Sequence, residues 1–331
     1  MAVEVSIICL VYNHECFLRK CLDGFVNQNT NFNYEIIIHD DCSTDSSKAI
    51  IEEYVAKYPN LFIPLYEEEN QYSQGHEFVQ SKMESIAQGK YLAYCEGDDY
   101  WCDNNKLQIQ YDYMEKHPEC SLCVHNTIRH DLMGLTKDTL FNNWNAEHNL
   151  SEKDVFFGWN VQTSSYFIRQ KFVTRPAFAL PIWCGDYTRL TLAFDQGTVV
   201  SLPRAMSVYD FNNTSGLTYL NDKISYKIKQ KKEIIRADYL KKYNEYTNYR
   251  HNDIIQSRIN QIYFNNKLLE VNHAYKNGDK SAFRKKIKEL VEMDFYKEMK
   301  KNSSLVQKIK RYLKYSFPLN YYLWIAHDKL Q

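Results

Sequence analysis

Long apolar runs are missing from this sequence of 331 residues. No run approaches the ~18 residues that a membrane-spanning helix needs. The amino terminus enters a strand-like segment at once, so we expect no secretory signal. Hydrophobic residues make up 44% and charged residues 25% of the chain, which argues against bulk disorder. The sequence alone predicts a cytoplasmic globular protein, long enough for about two domains.

Paired cysteine motifs are also scarce. The nine cysteines include one close pair, Cys120 and Cys123, and a zinc site would need a second pair at matching spacing. Disulfide frameworks are typical of short exported chains. We therefore expect reduced thiols that pack in the core as small hydrophobic groups.

A net charge is absent as well, because 41 basic side chains balance 41 acidic ones. The balance hides an asymmetry, since residues 1–219 carry 16 basic and 29 acidic side chains, whereas residues 220–331 carry 25 and 12. Such a division indicates two parts with different partners. We place a domain boundary between residues 219 and 220, with a basic helical region beyond it.

Strand-like and helix-like segments alternate through the first hundred residues. Four short runs rich in apolar residues predict strands: Val5–Val11, Tyr34–His39, Leu61–Tyr66 and Tyr91–Cys95. Apolar residues at helical spacing lie between these strands and predict helices, one of them at about residues 76–87. A further helix is expected at Lys106–Lys116. Ser43 or Thr44 is expected to cap the second helix. This alternation predicts an α/β fold with a doubly wound, mostly parallel sheet and helices on both faces.

Two acidic clusters follow strands of that sheet. Asp40 and Asp41 end the second strand, and Glu96, Asp98 and Asp99 follow the fourth. Ligands bind beyond the carboxyl ends of parallel strands, and crowded carboxylates repel one another unless a cation or a donor lies between them. Mg²⁺ and Mn²⁺ favour such oxygen ligands, often together with substrate phosphates. The second cluster is also open to a simpler explanation, as acids that cap a helix starting near residue 103.

Three segments together resemble the family 2 glycosyltransferases, which have the GT-A fold. The segments are Val5–Asn13, Ile38–Asp45 and Glu96–Trp101, in the family's order and spacing. The resemblance covers roughly residues 3–215. It implies inverting transfer of a sugar from a nucleotide-diphosphate donor, a UDP-sugar first among candidates, to a hydroxyl of a saccharide or lipid-linked saccharide. It further implies a role in cell-surface polysaccharide or capsule synthesis, with a donor half at about residues 1–100 and an acceptor half at 101–219.

The resemblance also implies roles for the residues after the first two strands. Tyr12 would stack near the nucleobase, and Asp41 would accept a hydrogen bond from it. Asp40, beside Asp41, would support the turn. These three side chains are the candidates for contacts with the nucleotide part of the donor.

The second cluster corresponds to the family's DxD motif. Glu96 stands where the first acid, usually Asp, is found, and it is a candidate for nucleotide-sugar binding together with Asp98. Asp98 takes the place of the second acid and is the first choice as a ligand of Mn²⁺ or Mg²⁺, with Asp99 second. Asp210-Phe211-Asn212 departs from the Arg-x-His that the family often has, so a phosphate-binding His is missing there.

One later acid fits the family's catalytic base. Asp186 follows Gly185 in the segment Ile182–Tyr187, and its alternative role is the N-cap of a helix that begins near Tyr187. The segment Gly158–Ser165 resembles the family's acceptor-facing region, in which Gln162 and Thr163 are weaker candidates for acceptor contacts.

The basic region 220–331 has two open interpretations. Basic residues mixed with Tyr and Trp in Lys308–Ile325 suit a segment that lies on the inner surface of the cytoplasmic membrane. The same charge fits a solvated helical face that packs on the catalytic part or on a second copy of the chain. No nucleic-acid-binding motif accompanies the charge, so nucleic acid is not an expected partner.

The same residues bear on other protein classes. Glu96 and the missing His also fit a non-catalytic nucleotide-binding or scaffold protein that keeps the fold. A dinucleotide-dependent oxidoreductase is excluded because no G-x-G-x-x-G follows the first strand. A phosphoacceptor receiver domain is excluded by the chain length and by the second acidic cluster.

Overall fold

The computed structural model describes residues 2–72, 79–180, 184–213 and 224–293. The strands in these ranges are β1 (Val3–Val11), β2 (Asn33–Asp40), β3 (Phe62–Tyr66), β4 (Tyr91–Tyr94), β5 (Tyr100–Trp101), β6 (Cys120–Asp131), β7 (Thr139–Leu140), β8 (His148–Asn149), β9 (Phe167–Arg169) and β10 (Thr198–Phe211). The α-helices are α1 (Leu18–Val26), α2 (Ser47–Lys57), α3 (Val79–Ile86), α4 (Lys106–Lys116), α5 (Glu152–Phe157), α6 (Gly185–Gln196), α7 (Tyr226–Tyr246), α8 (Asn252–Lys276) and α9 (Lys280–Glu292).

The described strands form one sheet in the order β3-β2-β1-β4-β9-β6-β10-β5, with β7 paired to β6 and β8 to β10. Strands β1 to β4 run parallel to their neighbours among themselves, and β6 runs parallel to β10. Strand β9 is antiparallel to both β4 and β6, so β6 and β10 point the same way as β1 and β4. The predicted α/β fold with a mostly parallel sheet is confirmed.

Both faces of the sheet carry helices, as the continuous apolar strands predict. On one face Val5, Ile7 and Cys9 of β1 pack in a buried cluster with Leu22 and Phe25 of α1. On the other face, helix α3 packs against β1, and helix α6 packs against β6 and β10. Five of the nine cysteines are buried, whereas Cys16, Cys42, Cys102 and Cys184 are not, so the expectation that the thiols pack in the core is wrong for these four.

Close backbone approach on this second face requires a glycine. Ser6 Oγ donates to Glu35 Oε1 at 2.6 Å and accepts from Gly89 N at 2.9 Å. A Cβ at Gly89 would lie 2.5 Å from Ser6 N. The chain that enters β4 is therefore held directly against β1. This contact fixes the position of β4 along β1, and with it the position of the acidic turn that follows β4.

The expected cap of α2 is wrong. Helix α2 begins at Ser47 after Ser46, whose side chain makes no capping hydrogen bond. Ser43 Oγ instead accepts from Asn13 N at 2.9 Å, and Thr44 N donates to Asn13 Oδ1 at 2.7 Å. Both residues join the loop after β2 to the loop after β1, because these polar groups find partners across the site before the helix starts.

Two compact units divide the chain. The first contains Met1–Ile224 with Lys241–Ile254, and the second contains Ser225–Leu240 with Ile255–Gln331. In the second unit, Gln230 Nε2 donates to the Asn266 carbonyl at 2.9 Å, and Lys267 Nζ lies 2.9 Å from Glu289 Oε2. The predicted helices beyond residue 220 are confirmed for the described part of that region.

Three sequence predictions fall outside the described residues. They are the boundary at 219/220, the start of the helix expected from residue 76, and the segment Lys308–Ile325. Within the described ranges, no helix combines the length and apolar character that crossing a bilayer requires.

Candidate active site

The loops after β1, β2 and β4 are bonded to one another. Asp41 N donates to Val11 O, and Gly97 N donates to Leu10 O, each at 2.9 Å. The end of β1 therefore lies between the two acidic clusters. The structure brings both predicted clusters to the carboxyl edge of the sheet, where parallel α/β sheets bind ligands.

Two residues of these loops have left-handed backbone conformations. Asn13 has φ 55° and Cys42 has φ 61°, a region that non-glycine residues seldom occupy and that is often found at functional sites. The turn is held by Asp40, a buried residue whose Oδ2 accepts from Ser43 N at 3.3 Å. This hydrogen bond is consistent with a supporting role for Asp40.

Tyr12 and Asp41 lie side by side with different exposure. The Tyr12 side chain is 45% exposed, whereas Asp41 is buried. Asp41 Oδ1 accepts from Gln71 N at 2.7 Å and Oδ2 accepts from Tyr72 N at 3.1 Å. Each carboxylate oxygen retains a second lone pair for a ligand, so Asp41 anchors the following loop and remains able to accept a hydrogen bond.

The Glu96–Asp99 segment is a tight turn in which Asp99 N donates to Glu96 O at 3.0 Å. Its acids do not cap α4, because that helix begins at Lys106 and its N-cap residue is Asn105. The capping explanation is therefore wrong for this cluster. The carboxylates at the strand end need another role.

Asp98 is partly exposed to solvent. Its side chain is 21% exposed, and its Oδ2 lies 3.9 Å from His14 Nε2 and 3.4 Å from the Asn213 Nδ2 donor. Gly97 allows this approach, because a Cβ there would lie 2.8 Å from His14 Nδ1. The absence of a side chain at Gly97 thus lets the turn pack directly on the loop after β1.

Asp99 is placed differently from Asp98. It is 3% exposed, and its Oδ2 accepts from Gln162 Nε2 at 3.0 Å. Burial, together with the charges of Asp98 and Glu96, raises the pKa of Asp99 well above its usual range. Asp99 is therefore the inner support of the turn, and Asp98 has the more accessible oxygens.

Asp98 and Asp99 suit a metal site that substrate phosphates and water complete. Among the described residues, no three His, Cys, Asp or Glu side chains form a group that could hold a metal. Mg²⁺ sites often use one or two carboxylates together with substrate phosphates and water. Asp98 at an accessible turn fits that pattern, with Asp99 behind it.

Asp186 acts electrostatically on this cluster. Burial raises the pKa of Glu96 to about 8, and the charges of Asp98 and Asp186 add to the rise, opposed by Arg189. The carboxylates of Glu96, Asp98 and Asp186 thus interact electrostatically although Asp186 is far away in sequence. Helix α6 leads into the start of β10, which is parallel to β6, and Tyr166 Oη donates to the Asp186 carbonyl at 3.4 Å, so the first turn of α6 lies at the carboxyl edge of the sheet.

Asp186 is the second residue of α6, and the helix N-cap is Cys184. Asp186 Oδ1 accepts from Tyr187 N at 2.8 Å and from Cys184 Sγ at 3.0 Å. The alternative of an N-cap role for Asp186 is therefore wrong. An acid in the first turn of a helix is stabilised by the helix dipole.

A buried guanidinium under this turn escaped the sequence analysis. Arg189 Nε donates to Glu84 Oε1 at 2.8 Å and Nη2 donates to Gln80 Oε1 at 2.7 Å. The guanidinium carbon lies 4.7 Å from the centre of the Tyr94 ring. A Cβ at Gly185 would lie 3.1 Å from Arg189 Nη1, so this group packs against the backbone next to Asp186.

A second buried network, behind the acidic turn, was missed too. Lys106 Nζ donates to Gln110 Oε1 at 2.8 Å and lies 4.0 Å from the centre of the Trp101 ring. Gln110 Nε2 donates to the carbonyls of Cys123 and Ser165, each at 2.9 Å. Burial lowers the pKa of Lys106 to about 7. Polar residues in a helical pattern predict an exposed face, so nothing in the sequence distinguished Lys106 and Gln110 from solvated residues.

The fold and the acids at the ends of β2 and β4 define a GT-A-type domain. Residues 6–172 match the model of Glycosyl transferase family 2. The chain therefore belongs to that family. The resemblance inferred from the three sequence segments is confirmed.

Relatives and solved structures agree with this assignment. Protein Rv1520 of Mycobacterium tuberculosis is 38% identical over 207 residues, which are 62% of this chain and 58% of that protein. A poly(ribitol-phosphate) beta-glucosyltransferase of Bacillus spizizenii is 38% identical over 99 residues, 30% of this chain and 15% of that protein. The chain thus spans little more than half of the mycobacterial relative.

Two solved structures share the fold at low identity. S. aureus TarS 1–349 in complex with UDP-GlcNAc has a TM-score of 0.55 and 14% identity, covering 86% of this chain and 90% of that 1–349 chain. The mannosyltransferase PcManGT of Pyrobaculum calidifontis, in complex with GDP-Man and Mn²⁺, has a TM-score of 0.53 and 12% identity, covering 96% and 88%. At these identities the likeness establishes the fold alone.

Proposed function

We propose that the chain transfers a sugar, with inversion, from a nucleotide-diphosphate donor to a hydroxyl of a saccharide or lipid-linked saccharide. The proposal rests on one observation: in a family 2 glycosyltransferase, Tyr12, Asp41, Asp98 and Asp186 lie at one edge of the sheet. The wall-polymer name of the Bacillus relative supports a role in cell-surface polysaccharide synthesis. The donor in the TarS structure makes a UDP-sugar the first candidate.

Residues of the first hundred bind the donor in this proposal. The ring of Tyr12 stacks on the nucleobase, and Asp41 accepts a hydrogen bond from it. Glu96 contacts the ribose or the sugar at the inner side of the turn. Asp98, with Asp99 behind it, holds a Mn²⁺ or Mg²⁺ ion, which supplies neutralisation of the charge on the leaving diphosphate.

Asp186 is the general base in this proposal. It takes the proton from the acceptor hydroxyl as that oxygen forms a bond to the anomeric carbon. The bond from the anomeric carbon to the diphosphate oxygen breaks, and the diphosphate leaves with the electron pair. Attack from the face opposite the leaving group inverts the anomeric configuration, and no covalent intermediate is needed. A placed base contributes about 10²–10⁴-fold to such a step.

The remaining regions have proposed places as well. Residues 101–219 bind the acceptor, and the basic region 220–331 contacts the inner surface of the cytoplasmic membrane. The net positive charge of that region supports the second statement, since each basic residue near an anionic surface contributes about 1 kcal/mol. Packing on a second copy of the chain is the competing role for the same charge.

Nucleotide release from a set of sugar donors tests the proposal. UDP-glucose, UDP-galactose, UDP-GlcNAc and GDP-mannose are each incubated with Mn²⁺ and a mixture of bacterial wall saccharides. We expect release from one donor class, accompanied by a glycosylated product. Nucleotide binding without turnover of any donor would favour the non-catalytic scaffold alternative.

A further inference from the structure

Three aromatic rings cluster at the carboxyl ends of β6 and β10. Trp159 lies edge to face with Phe141, with ring centres 5.0 Å apart, and with Tyr209 at 5.8 Å. Phe141 and Tyr209 complete the triangle at 6.3 Å. The Trp159 side chain is nevertheless 52% exposed. We call Phe141, Trp159 and Tyr209 the aromatic patch.

The backbone around the aromatic patch is fixed. Phe141 N donates to Thr127 O at 2.8 Å, which ties it to β6. Asn142 Nδ2 donates to Asn160 O at 3.0 Å, and Asn160 Nδ2 donates to Asp154 O at 3.1 Å. Trp159 is therefore presented in one orientation, so a ligand would lose little free energy in ordering it.

Two hydrogen bonds connect this region to the acidic turn. Gln162, three residues after Trp159, donates to Asp99 at 3.0 Å, and Asn213, four residues after Tyr209, donates to Asp98 at 3.4 Å. In the sheet, β4 and its acidic turn lie between β1 and the β6–β10 pair. The aromatic patch and the Tyr12–Asp41 pair are consequently on opposite sides of the turn.

This arrangement limits what can occupy the aromatic patch. If the nucleotide lies at the ends of β1 and β2 and the reacting sugar at the turn, the molecule that attacks must approach from the β6–β10 side. A pyranose ring has a face of C–H groups and a rim of hydroxyls. Packing that face on an exposed indole removes apolar surface from water while the hydroxyls stay hydrated.

We propose that the aromatic patch binds a sugar ring of the acceptor, with Trp159 as the stacking platform. This inference rests on the proposed function and adds to it the residue that selects a saccharide acceptor. Trp159 contacts the acceptor ring and takes no part in donor binding. Truncation of an aromatic side chain that a bound ligand covers commonly weakens binding about tenfold or more.

Binding to a microarray of bacterial cell-surface saccharides tests the proposal. The full chain is applied with UDP and Mn²⁺ present, as wild type and as Trp159→Ala, Trp159→Phe and Leu135→Ala. Leu135 is the matched control because it is an exposed apolar residue, 76% exposed, outside the aromatic patch. We expect saccharide binding by wild type and by Leu135→Ala, about tenfold weaker binding by Trp159→Ala, and intermediate binding by Trp159→Phe.

Two further measurements keep the outcomes distinct. The melting temperature confirms that each variant folds, and the rise that UDP with Mn²⁺ causes reports on the donor site alone. Equal saccharide binding by wild type and a folded Trp159→Ala, or no saccharide binding by wild type, would overturn the stacking role. If UDP with Mn²⁺ does not raise the melting temperature of wild type, that result counts against the proposed donor site. The comparison of saccharide binding between wild type and Trp159→Ala can still be interpreted.

Discussion

Neighbouring carboxylates of the acidic turn have different surroundings and so different chemistry. Asp98 faces solvent beside His14, whereas Asp99 is enclosed and bonded to Gln162. Burial raises the pKa of Glu96 to about 8. The acids of one turn thus differ in their surroundings, and the exposed oxygens of Asp98 support its proposed role as the metal ligand.

Replacing Asp186 tests the base. Asp186→Asn keeps the shape of the side chain and removes the proton acceptor. We expect nucleotide release coupled to transfer to fall about 10²–10⁴-fold, with the affinity for UDP unchanged. Asp138→Asn is the control, because Asp138 is an exposed acid on the same unit. A transfer rate within a few fold of wild type in Asp186→Asn would contradict the assignment.

Lys106 makes stability depend on pH in a predictable direction. Its pKa of about 7 in the folded chain lies below the ordinary value of 10.5. Between these values the unfolded chain binds the extra proton, so the free energy of unfolding rises with pH. We expect Lys106→Met to lack this rise, which is at most about 1.4 kcal/mol per pH unit.

Urea unfolding between pH 7 and pH 10 measures this slope. Lys116→Met is the control, since Lys116 is an exposed residue of the same helix. It should keep the wild-type slope. Identical slopes in wild type and Lys106→Met would show that Lys106 stays protonated in the fold.

At the scale of elements, α3 and α6 are joined by one buried charge pair. Arg189 on α6 reaches Glu84 and Gln80 on α3 while its guanidinium packs against Gly185. The first turn of α6, which carries Asp186, is thereby fixed against the second face of the sheet. We infer that Arg189 is a positioning residue for the base.

Breaking this pair should be costly. Arg189→Met leaves the buried Glu84 with the more distant Arg175, 3.9 Å from its Oε2, as its remaining cationic partner, and we expect a loss of about 3 kcal/mol in the free energy of unfolding, at the low end for a broken buried pair. Arg19→Met is the control, because Arg19 and Glu53 form a surface pair that is 54% and 57% exposed; it should cost far less, since water screens exposed ion pairs. Urea denaturation measures both.

The double variant Glu84→Gln/Arg189→Met separates charge from position. Removing the charge of Glu84, which Arg175 alone then balances at 3.9 Å, should restore part of the stability lost in Arg189→Met. The transfer rate should stay low while the UDP affinity remains that of wild type, because the turn carrying Asp186 has lost its support. Full recovery of the transfer rate would limit Arg189 to a structural role.

Strands and most helices could be predicted from the sequence because their apolar spacing is local. Lys106–Lys116 was expected and is found as α4. The predicted cap of α2 was wrong because Ser43 and Thr44 form hydrogen bonds with Asn13. Residues so far apart in sequence cannot be paired from local sequence patterns. Arg189 and Glu84 are separated by 105 positions, so a single sequence carries no sign that they meet.

The candidate site could be anticipated only in part. The acids that follow β2 and β4 could be placed at one edge because the carboxyl ends of parallel strands lie together. Asp186 was predicted only from the family resemblance. Which acid is accessible depends on Gln162 and Asn213, whose positions follow from tertiary packing. The aromatic patch joins residues from three segments for the same reason.

On the scale of the whole molecule, residues 1–219 carry an excess of acidic side chains and residues 220–331 an excess of basic ones. Residues 220–331 hold 25 basic and 12 acidic side chains. We expect the full chain to sediment with vesicles of phosphatidylcholine and phosphatidylglycerol, and not with phosphatidylcholine alone. Raising salt from about 0.1 M to about 1 M shortens the Debye length from ~10 Å to ~3 Å and should release it.

Charge-matched variants locate the contact. Glutamine replaces Lys308, Lys310, Arg311 and Lys314 in one variant, and four exposed residues of the first unit in the other, namely Lys57, Lys116, Lys137 and Lys153. Only the first should lose vesicle binding. Equal loss in both would mean that overall charge, and not the basic region, determines the contact.

The central claim is a donor site built around Asp98, and a thermal-shift comparison tests it most directly. UDP, GDP, CMP and dTDP are added with and without Mn²⁺ to wild type and to Asp98→Ala. A ligand at a hundred times its Kd stabilises by about 2.7 kcal/mol, which gives a clear rise in Tm. We predict a rise with one nucleotide, in the presence of Mn²⁺, in wild type alone. An equal rise in Asp98→Ala, or no rise with any nucleotide, would contradict the account.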